Sequence, residues 1–368
     1  MNAQALRYAL VGDGLSPHLA KWARALAPRV ELWVASSTGL HPAIAACVPA
    51  SRRLVLGSQP KVAGGNVGLL MQWPRLVRWL AQVDADWINP HYLSSHGTLV
   101  WAASRWSRLR GRVLASAWGS DVLVTPEQQP VQRWVLRRVL AAAALATSDS
   151  EYMAERMRHF GSREVMVFPF GLEAMPEVES RRSASPEASL KKQPWLVYAN
   201  RALEPNYRPQ AVLQWFVSLL AWQPEAQLVL ANDGSLRPSL QAWVRERGLS
   251  ERVSFVGHLD ADAQCEWYER AQWFVSLPAS DSVSVSLIEA LAHGCLPVLA
   301  DLPANREWVR HAVNGLILRD AQSADAVVMQ TLLARAQTIA QDNRARVARD
   351  GLFEPCMERL IERLRTLR

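Results

Sequence analysis

The densest group of residues that could do chemistry lies in residues 276–300, with the sequence SLPASDSVSVSLIEALAHGCLPVLA. An apolar run ends at Pro278, a polar loop follows, and a helical pattern begins near Ser284. The first turn of a helix leaves backbone N–H groups unpaired and carries the positive end of the helix dipole, so it attracts anions. Small side chains at Ser282, Ser284 and Ser286 would let a phosphate approach this backbone closely.

Two acidic side chains flank the start of this predicted helix. Asp281 lies in the loop before it, and Glu289 lies one turn or more inside it. Their carboxylates could accept hydrogen bonds from sugar or ribose hydroxyls. After the helix, Gly294 is placed to form a left-handed cap. From the residues alone, a simple helix-dipole role for Asp281 and a solvated helix face for Glu289 remain open.

These residues need a scaffold, and each half of the sequence predicts one of alternating strands and helices. The first half begins with a strand at Tyr8–Gly12, a helix-period segment at 18–26 and a strand at Glu31–Ala35, which is the start of a parallel α/β sheet. Further strands are predicted at Trp87–Asn89, Val113–Ser116, Ala144–Ser148 and Val165–Phe168, and helices at 72–83, 96–109, 130–142 and 151–159.

The pattern changes at residues 174–194, where Pro, Ser, Glu and basic residues replace the apolar periodicity and predict an interdomain linker. We expect an N-terminal Rossmann-like domain over 1–173 and a second over 195–350. Residues 351–368 have apolar side chains at helical spacing and are expected to form a helix that returns to the first domain. Strands of the second domain are predicted at Trp195–Asn200, Gln227–Ala231, Val253–Val256, Phe274–Leu277 and Leu296–Ala300.

Composition excludes several classes of protein. The chain has 368 residues, of which 49% are hydrophobic and 20% charged, so it can bury two cores and is not a disordered chain. Neither an apolar run of the roughly 20 residues that span a bilayer nor a signal peptide is recognisable, which predicts a cytoplasmic protein. The four cysteines form no CxxC pair, so we expect neither a metal site nor a disulfide framework.

Basic charge is concentrated in the first half of the chain. Residues 1–173 carry 19 Lys and Arg against 11 Asp and Glu, whereas residues 174–368 carry 22 against 23. Two stretches, Trp73–Trp79 and Trp101–Arg112, combine Arg with Trp at helical spacing. This pattern suits contact with an anionic membrane surface, at the inner face of the cytoplasmic membrane, and it equally suits a solvated basic helix face. No nucleic-acid partner is expected, because no nucleic-acid-binding motif accompanies the charge.

The segment around Asp281 and Glu289 resembles the signature of the retaining glycosyltransferases of family four. That signature has an acidic residue, seven residues, a glutamate, and a helix that ends before a Gly-x-Pro-Val strand, here Gly294-Cys-Leu-Pro-Val298. The resemblance implies the GT-B fold: two Rossmann-like α/β/α domains facing a cleft, with a C-terminal helix returning to the first domain. It extends to Arg201-Ala-Leu-Glu-Pro205, Asp233-Gly234, Val256-Gly257, Phe170–Glu173, Asn305–Val309 and Asn314-Gly315.

The resemblance implies transfer of a sugar from a nucleotide-diphosphate sugar to a hydroxyl of a glycan or lipid-linked acceptor, with retention of configuration and without a metal or other cofactor. It implies that Arg201 binds the diphosphate and stabilises the leaving phosphate, that Asp281 binds sugar hydroxyls, and that Glu289 holds the ribose. Further donor-binding candidates are Gly14, Gly257, Ser284, Val285 and Ser286. Candidates for the acceptor or the cleft are His18, His91, Trp118 and Asp121, with His96 near them.

Three positions depart from the family pattern. Asp281 stands in place of a glutamate, and Trp118 stands in place of a histidine near the sugar. Asn206 stands where the family has a lysine five residues after Arg201, and Arg208 is the alternative source of that positive charge.

Two other functions remain open at this stage. The first is a GT-B enzyme of another kind, such as an epimerase or a phosphorylase. The scarcity of lysine weighs against a phosphorylase that uses pyridoxal phosphate. A degenerate subunit that acts as a nucleotide-binding scaffold for a partner transferase is the other, and Asn206 and Asp281 favour it. The sequence does not choose between UDP and GDP donors.

Overall fold

The computed structural model describes residues 5–58, 67–106, 109, 111–177, 192–319 and 323–367. The chain forms two compact units, and the first comprises Met1–Phe168 together with Glu354–Arg368. The second comprises Pro169–Phe353. Most of the predicted linker, residues 178–191, lies outside the described residues.

In the described part of the first unit, seven parallel strands form one sheet: β1 (Arg7–Gly12), β2 (Glu31–Ser36), β3 (Arg53–Val55), β4 (Trp87–Pro90), β5 (Arg112–Ser116), β6 (Leu145–Ser148) and β7 (Val165–Val167). The strand order is β3-β2-β1-β4-β5-β6-β7. The strands β2 and β3 therefore lie on one side of β1, and β4 to β7 lie on its other side, so the strand order reverses beside β1. In parallel sheets with such a reversal, the loops after the two central strands leave towards opposite faces and open the space in which these sheets bind ligands.

The helices of this unit cover the sheet with apolar faces. Pro17–Leu26, for example, starts at a proline and buries Leu19, Trp22 and Leu26. The predicted helix at 96–109 instead begins as a π-helix over Tyr92–Gly97 and continues as an α-helix. The α-helices are Pro17–Leu26, Pro42–Cys47, Val67–Leu70, Trp73–Val83, Thr98–Trp106, Ser120–Leu123, Thr125–Gln128, Pro130–Ala142 and Glu151–His159, with a 3-10 turn at Ala50–Arg52.

The last helix, Phe353–Thr366, packs on the first unit, and the prediction of a returning C-terminal helix is confirmed. It buries one apolar face, which includes Met357 and Leu360. Arg363 donates two hydrogen bonds of 2.7 Å to the carboxylate of Glu164, and this pairing lowers the pKa of Glu164. The helix is therefore attached by an apolar stripe and by an ion pair.

In the described part of the second unit, six parallel strands form the sheet: β8 (Gln193–Ala199), β9 (Gln227–Ala231), β10 (Val253–Gly257), β11 (Ala271–Ser276), β12 (Leu296–Ala300) and β13 (Leu316–Leu318). Their order, β10-β9-β8-β11-β12-β13, reverses beside β8. The helices are Pro209–Leu220, Arg237–Glu246, Ala261–Arg270, Val285–Ala292, Pro303–Arg306, Ala326–Ala334 and Ala336–Asp350, with a 3-10 turn at Pro205–Tyr207.

Both sheets are parallel and lie between helices, so the predicted fold class, two Rossmann-like α/β/α domains, is confirmed. The sequence placed the strands from β1 to β12, except β3, within a few residues. It missed β3 and β13, which have three residues each, and the helices Ala326–Ala334 and Ala336–Asp350. A strand of three residues, such as β3 or β13, is too brief for an alternating pattern to be read.

Gly14 holds the loop after β1 against the loop after β2. Its N–H donates to Ser36 Oγ at 2.9 Å, and its carbonyl accepts from the His41 N–H at 2.7 Å. A Cβ on Gly14 would lie 2.5 Å from Ser36 Oγ and would collide with the carbonyl oxygen of Gly39. The requirement for glycine here comes from the packing of the two loops.

We expect Gly14→Ala to lower the free energy of unfolding by about 1–3 kcal/mol, because the added methyl group overpacks this contact. Urea unfolding followed by circular dichroism measures the change. Gly68→Ala is the matched control, because its nearest neighbour outside the helix, Ser58 Oγ, lies 3.7 Å from the added carbon. Equal midpoints for Gly14→Ala and wild type would contradict the packing argument.

Candidate functional site

The predicted phosphate-binding helix of the second unit is present as Val285–Ala292. Ser284 is its N-cap, and Ser284 Oγ accepts a hydrogen bond from the Leu287 N–H at 3.2 Å. Val285 and Ser286 are the first two helical residues, where N–H groups point out of the helix start. Gly294 follows the helix with φ of +72°, so the predicted left-handed cap is confirmed.

Arg201 and Asp281 meet where the strand order of the second sheet reverses. Arg201 follows β8, and Asp281 follows the neighbouring strand β11. Arg201 Nη2 donates to Asp281 Oδ2 at 2.7 Å, and the side chains are only 19% and 21% exposed. Burial raises the pKa of Asp281, while the Arg201 guanidinium and the Ser282 N–H partly offset this effect. Arg201 is further held by Tyr207, whose ring centroid lies 4.5 Å from its guanidinium carbon.

The Glu289 carboxylate is held by Tyr268, a buried residue that the sequence analysis did not identify. The Tyr268 hydroxyl donates to Glu289 Oε2 at 3.0 Å and accepts from Asn200 Nδ2 at 2.8 Å. Tyr268 is 1% exposed, and burial together with the Glu289 charge raises its pKa well above the usual range. Asn200 directly precedes Arg201, so a polar residue after β8 was the sequence signal that could have indicated its role. Tyr268 lies in a helix, where no sequence signal indicated a contact with Glu289.

Asn206, which stands where the family has a lysine, is hydrogen-bonded to the loop after β11. Asn206 Nδ2 donates to the Ser280 carbonyl at 3.1 Å, and the Asn206 carbonyl accepts from the Ala279 N–H at 2.8 Å. Arg208 has a left-handed backbone and lines a cavity of about 430 Å³ that also touches Pro278 and Ala279. Arg201 does not line that cavity, so the two arginines border different spaces.

Gly257, a further donor candidate, ends β10 with φ of +76°. A Cβ there would lie 3.5 Å from Arg237 Nη1. The backbone conformation, rather than crowding, is what favours glycine at this position.

In the first unit, the candidates His18, His91 and Trp118 are brought together. Trp118 Nε1 donates to His91 Nδ1 at 3.1 Å, and the His18 and Trp118 ring centroids lie 4.8 Å apart. Because an indole N–H only donates, His91 Nδ1 accepts and His91 Nε2 carries the proton. That atom lies 2.9 Å from Asn89 Oδ1, which is an acceptor. Burial lowers the pKa of His91 well below its usual value, so the ring is neutral.

The buried Asp121 carboxylate is hydrogen-bonded to the backbone of this cluster. It is 2% exposed, and its carboxylate accepts from the N–H groups of Leu93 at 2.8 Å and Trp118 at 3.0 Å. Burial raises its pKa, and these backbone donors partly offset the rise. Asp121 therefore fixes the loops after β4 and β5 relative to each other.

Tyr92 belongs to this cluster, although the sequence did not identify it. Its ring stacks with Trp118 at 5.8 Å between centroids and an interplanar angle of 18°. Its backbone has φ of +64°, a conformation that is rare for bulky residues. No local sequence pattern predicts a left-handed tyrosine.

Across the described ranges, no group of three His, Cys, Asp or Glu side chains gathers as a metal site would require. Over the same ranges, no helix is long and apolar enough to cross a membrane.

Two family models match the chain. One, described as glycosyl transferase 4-like, matches residues 7–150, and the other, glycosyl transferases group 1, matches residues 180–343. Both halves of the chain are thus similar to glycosyltransferase domains.

Among curated proteins, the chain is 27% identical over 131 residues to the GDP-mannose:cellobiosyl-diphosphopolyprenol alpha-mannosyltransferase of Xanthomonas campestris, which covers 34% of this chain and 33% of that protein. It is 30% identical over 125 residues to the alpha-monoglucosyldiacylglycerol synthase of Streptococcus pneumoniae, with coverage of 34% and 28%. The matches therefore span about a third of these relatives.

Among solved structures, the chain is similar to HepE from Anabaena in complex with UDP, with a TM-score of 0.73, 18% identity, and coverage of 98% of this chain and 100% of that one. Sucrose-phosphate synthase from Thermosynechococcus elongatus gives a TM-score of 0.73 at 18% identity, with coverage of 98% and 99%. At these identities the likeness shows a shared fold.

His96 makes a pH-dependent contribution to the stability of the first unit. Its Nδ1 lies 2.9 Å from the His91 carbonyl, and its Nε2 is buried without a hydrogen-bond partner in the described part of the chain. Burial lowers the pKa of His96 to about 4. The unfolded chain takes up this proton near pH 6.5, whereas the folded chain does not until about pH 4.

We therefore expect the free energy of unfolding to fall as the pH drops from 6.5 towards 4, by up to about 1.4 kcal/mol per pH unit for this one proton. Chemical denaturation at several pH values measures the slope, which should decrease in His96→Gln. The control is His159→Gln, because His159 is exposed. An unchanged slope in His96→Gln would contradict the argument.

Proposed function

We propose that this chain, which belongs to the GT-B glycosyltransferases, transfers a sugar from a nucleotide-diphosphate sugar to an acceptor hydroxyl. The observation that carries the proposal is the Arg201–Asp281 pair at the strand-order reversal, shortly before the helix that starts at Val285. An arginine and a helix start together suit a diphosphate, through charge-assisted bonds and backbone N–H donors. Glu289, in the same helix, supplies a fixed carboxylate for ribose hydroxyls.

In the proposed reaction, the acceptor oxygen forms a bond to the anomeric carbon while the bond from this carbon to the diphosphate oxygen breaks. Arg201 and the N–H groups of Val285 and Ser286 meet the negative charge that develops on the leaving phosphate. We propose that configuration is retained and that the reaction takes no resident metal. HepE was solved with UDP and with UDP-glucose, and the Xanthomonas relative is named for GDP-mannose; both support a nucleotide-sugar donor.

We also propose that the acceptor is a glycan or is lipid-linked, and that the first unit contacts an anionic membrane surface to reach it. The names of the two curated relatives include a diphosphopolyprenol and a diacylglycerol. In the first unit, Trp101 and Trp134 meet edge to face at 5.9 Å and line a groove of about 590 Å³ with Arg105 and Arg138. Trp134 is 51% exposed. Aromatic rings beside arginines suit the headgroup layer of an anionic bilayer.

We expect Arg201→Ala and Glu289→Ala each to lower sugar transfer by about 100-fold or more, because each removes a charged partner of the donor. Release of nucleoside diphosphate from UDP-glucose and GDP-mannose, with a panel of saccharide acceptors, measures the effect. Arg306→Ala is the matched control: Arg306 is 57% exposed and pairs with Asp301 elsewhere in the same unit.

Full activity in either site variant would refute the site assignment. Wild-type protein that binds a nucleotide sugar but never releases nucleoside diphosphate would instead favour a nucleotide-binding scaffold. Product anomeric configuration, read by NMR, tests retention separately.

For the membrane surface, we expect wild type to float with vesicles that contain phosphatidylglycerol and to remain unbound with pure phosphatidylcholine. Trp134→Ser combined with Arg138→Gln should weaken binding at least about five-fold, since each basic residue near such a surface contributes about 1 kcal/mol. The control combines Val327→Ser with Arg349→Gln, both exposed in the second unit. Equal flotation of the two variants would remove this surface from the proposal.

A further inference from the structure

Tyr268 contacts the proposed nucleotide site from within the core of the second unit, although the reaction described above gives it no role. It lies in the helix Ala261–Arg270 and is 1% exposed. Its hydroxyl lies 3.0 Å from Glu289 Oε2, 3.2 Å from the Ser286 carbonyl and 2.8 Å from Asn200 Nδ2. A residue this deeply buried cannot touch a ligand, so any effect on the donor passes through these neighbours.

The direction of these hydrogen bonds follows from the donors and acceptors present. An amide Nδ2 only donates, so the Tyr268 hydroxyl accepts from Asn200 and has its single proton for Glu289 and Ser286. The charged Glu289 carboxylate is the stronger of these two acceptors. Asn200 Nδ2 also donates to Gln264 Oε1 at 2.8 Å, which fixes the amide in this orientation. Burial raises the pKa of Tyr268 well above its usual value, so the hydroxyl remains a donor at physiological pH.

The backbone of Tyr268 is fixed by Lys192. The Lys192 ammonium donates to the Tyr268 carbonyl at 2.8 Å and to the Ala271 carbonyl at 2.7 Å. These carbonyls lie at the C-terminal end of the helix, where the helix dipole favours a positive charge. The tyrosine side chain therefore starts from a backbone with little freedom.

The Tyr268 ring is also confined by its neighbours. It packs edge to face against Tyr198 at 5.1 Å and lies nearly parallel to His293 at 5.5 Å between ring centroids. Tyr198 is fully buried as well, but its hydroxyl has no hydrogen-bond partner among the described residues. Two adjacent buried tyrosines thus differ in that the hydroxyl of Tyr268 is bonded to Glu289.

A carboxylate held in this way binds a ribose better than a mobile one. A glutamate side chain has several rotatable bonds, and ordering them when a ligand arrives costs free energy that the bond from Tyr268 avoids. A carboxylate accepts up to about four hydrogen bonds. The bond from Tyr268 therefore takes up only part of the capacity of Glu289 to accept hydrogen bonds.

The same hydroxyl links two elements of the donor site. Asn200 directly follows β8 and precedes Arg201, whereas Glu289 lies in the helix Val285–Ala292. Tyr268 is bonded to both Asn200 and Glu289. The strand end that carries the proposed phosphate-binding residue is thus joined to the helix that carries the proposed ribose-binding residue.

We infer that Tyr268 is a positioning residue of the donor site: its hydroxyl fixes Glu289 for the ribose and joins it to the strand end before Arg201. This inference rests on the proposed function, in which Glu289 binds the ribose and Arg201 binds the diphosphate. Tyr268 acts through Glu289 and touches no part of the nucleotide.

Isothermal titration calorimetry on the full chain tests the inference with UDP, GDP and the 2′,3′-dideoxy form of each. We expect Tyr268→Phe to raise the Kd of the ribonucleotide that wild type binds about 3- to 10-fold, the effect of one hydrogen bond. Wild type and Tyr268→Phe should bind the dideoxy form equally, because it lacks the hydroxyls through which Glu289 acts. A merely structural role would weaken both forms by the same factor.

Three further variants complete the test. Tyr198→Phe is the matched control, because it removes the hydroxyl of the adjacent buried ring, and it should leave the Kd unchanged. In a Glu289→Ala background, Tyr268→Phe should cause no further loss, since the two residues act as one unit. Asn200→Ala removes the donor to the Tyr268 hydroxyl and should show the same selective loss, so it carries the test if Tyr268→Phe fails to fold.

Equal Kd values of wild type and Tyr268→Phe for the ribonucleotide would overturn the inference and leave the proposed function standing. Equal weakening of the ribonucleotide and its dideoxy form would also overturn it, as would a loss of the same size in Tyr198→Phe. Failure of wild type to bind either UDP or GDP would instead refute the proposed function, and the inference with it.

Discussion

In each parallel sheet of this protein, the strand order reverses beside the strand that comes first in the sequence of that unit. β1 has β2 on one side and β4 on the other, and β8 has β9 and β11. The loops that follow such a pair of strands diverge, because their helices cover opposite faces of the sheet. Polar side chains can therefore gather there without breaking the apolar core. Arg201 with Asp281, and His18 with His91, occur at these two points.

The second unit concentrates charge at its reversal point. Both oxygens of Asp281 already accept a hydrogen bond, Oδ2 from Arg201 and Oδ1 from the Ser282 N–H at 3.0 Å. Each carboxylate oxygen has a second lone pair, so in the proposed function Asp281 accepts from a sugar hydroxyl without releasing Arg201. The side chain is one methylene shorter than a glutamate, and its length matches this anchored position. Asp281 and the Tyr207 ring thus hold the Arg201 guanidinium together.

The sequence predicted the scaffold well because strand and helix patterns are local. The long runs that became β9, β12 and the helix at Pro130–Ala142 agree with the structure to the residue. The candidates Arg201 and Asp281 could be named because a motif carried them, but their ion pair joins residues 80 positions apart and no pattern encodes it. Tyr268 and Tyr92 were missed for the same reason: their roles depend on contacts and backbone angles that only the folded chain defines.

The two reversal points differ in electrostatic character, and this difference bears on what each can recognise. In the first unit, His91 and His96 have lowered pKa values and are neutral, while backbone N–H groups surround the Asp121 carboxylate. In the second unit, the Arg201 side chain is 19% exposed and pairs with Asp281 ahead of the helix that starts at Val285, and residue 206 is Asn rather than Lys. In the proposed function, anion recognition at this site rests on Arg201 and backbone N–H groups, so we expect loss of that one side chain to remove most of the specific positive charge. An anion-binding site in the second unit is what the proposed transfer of a sugar from a nucleotide diphosphate requires.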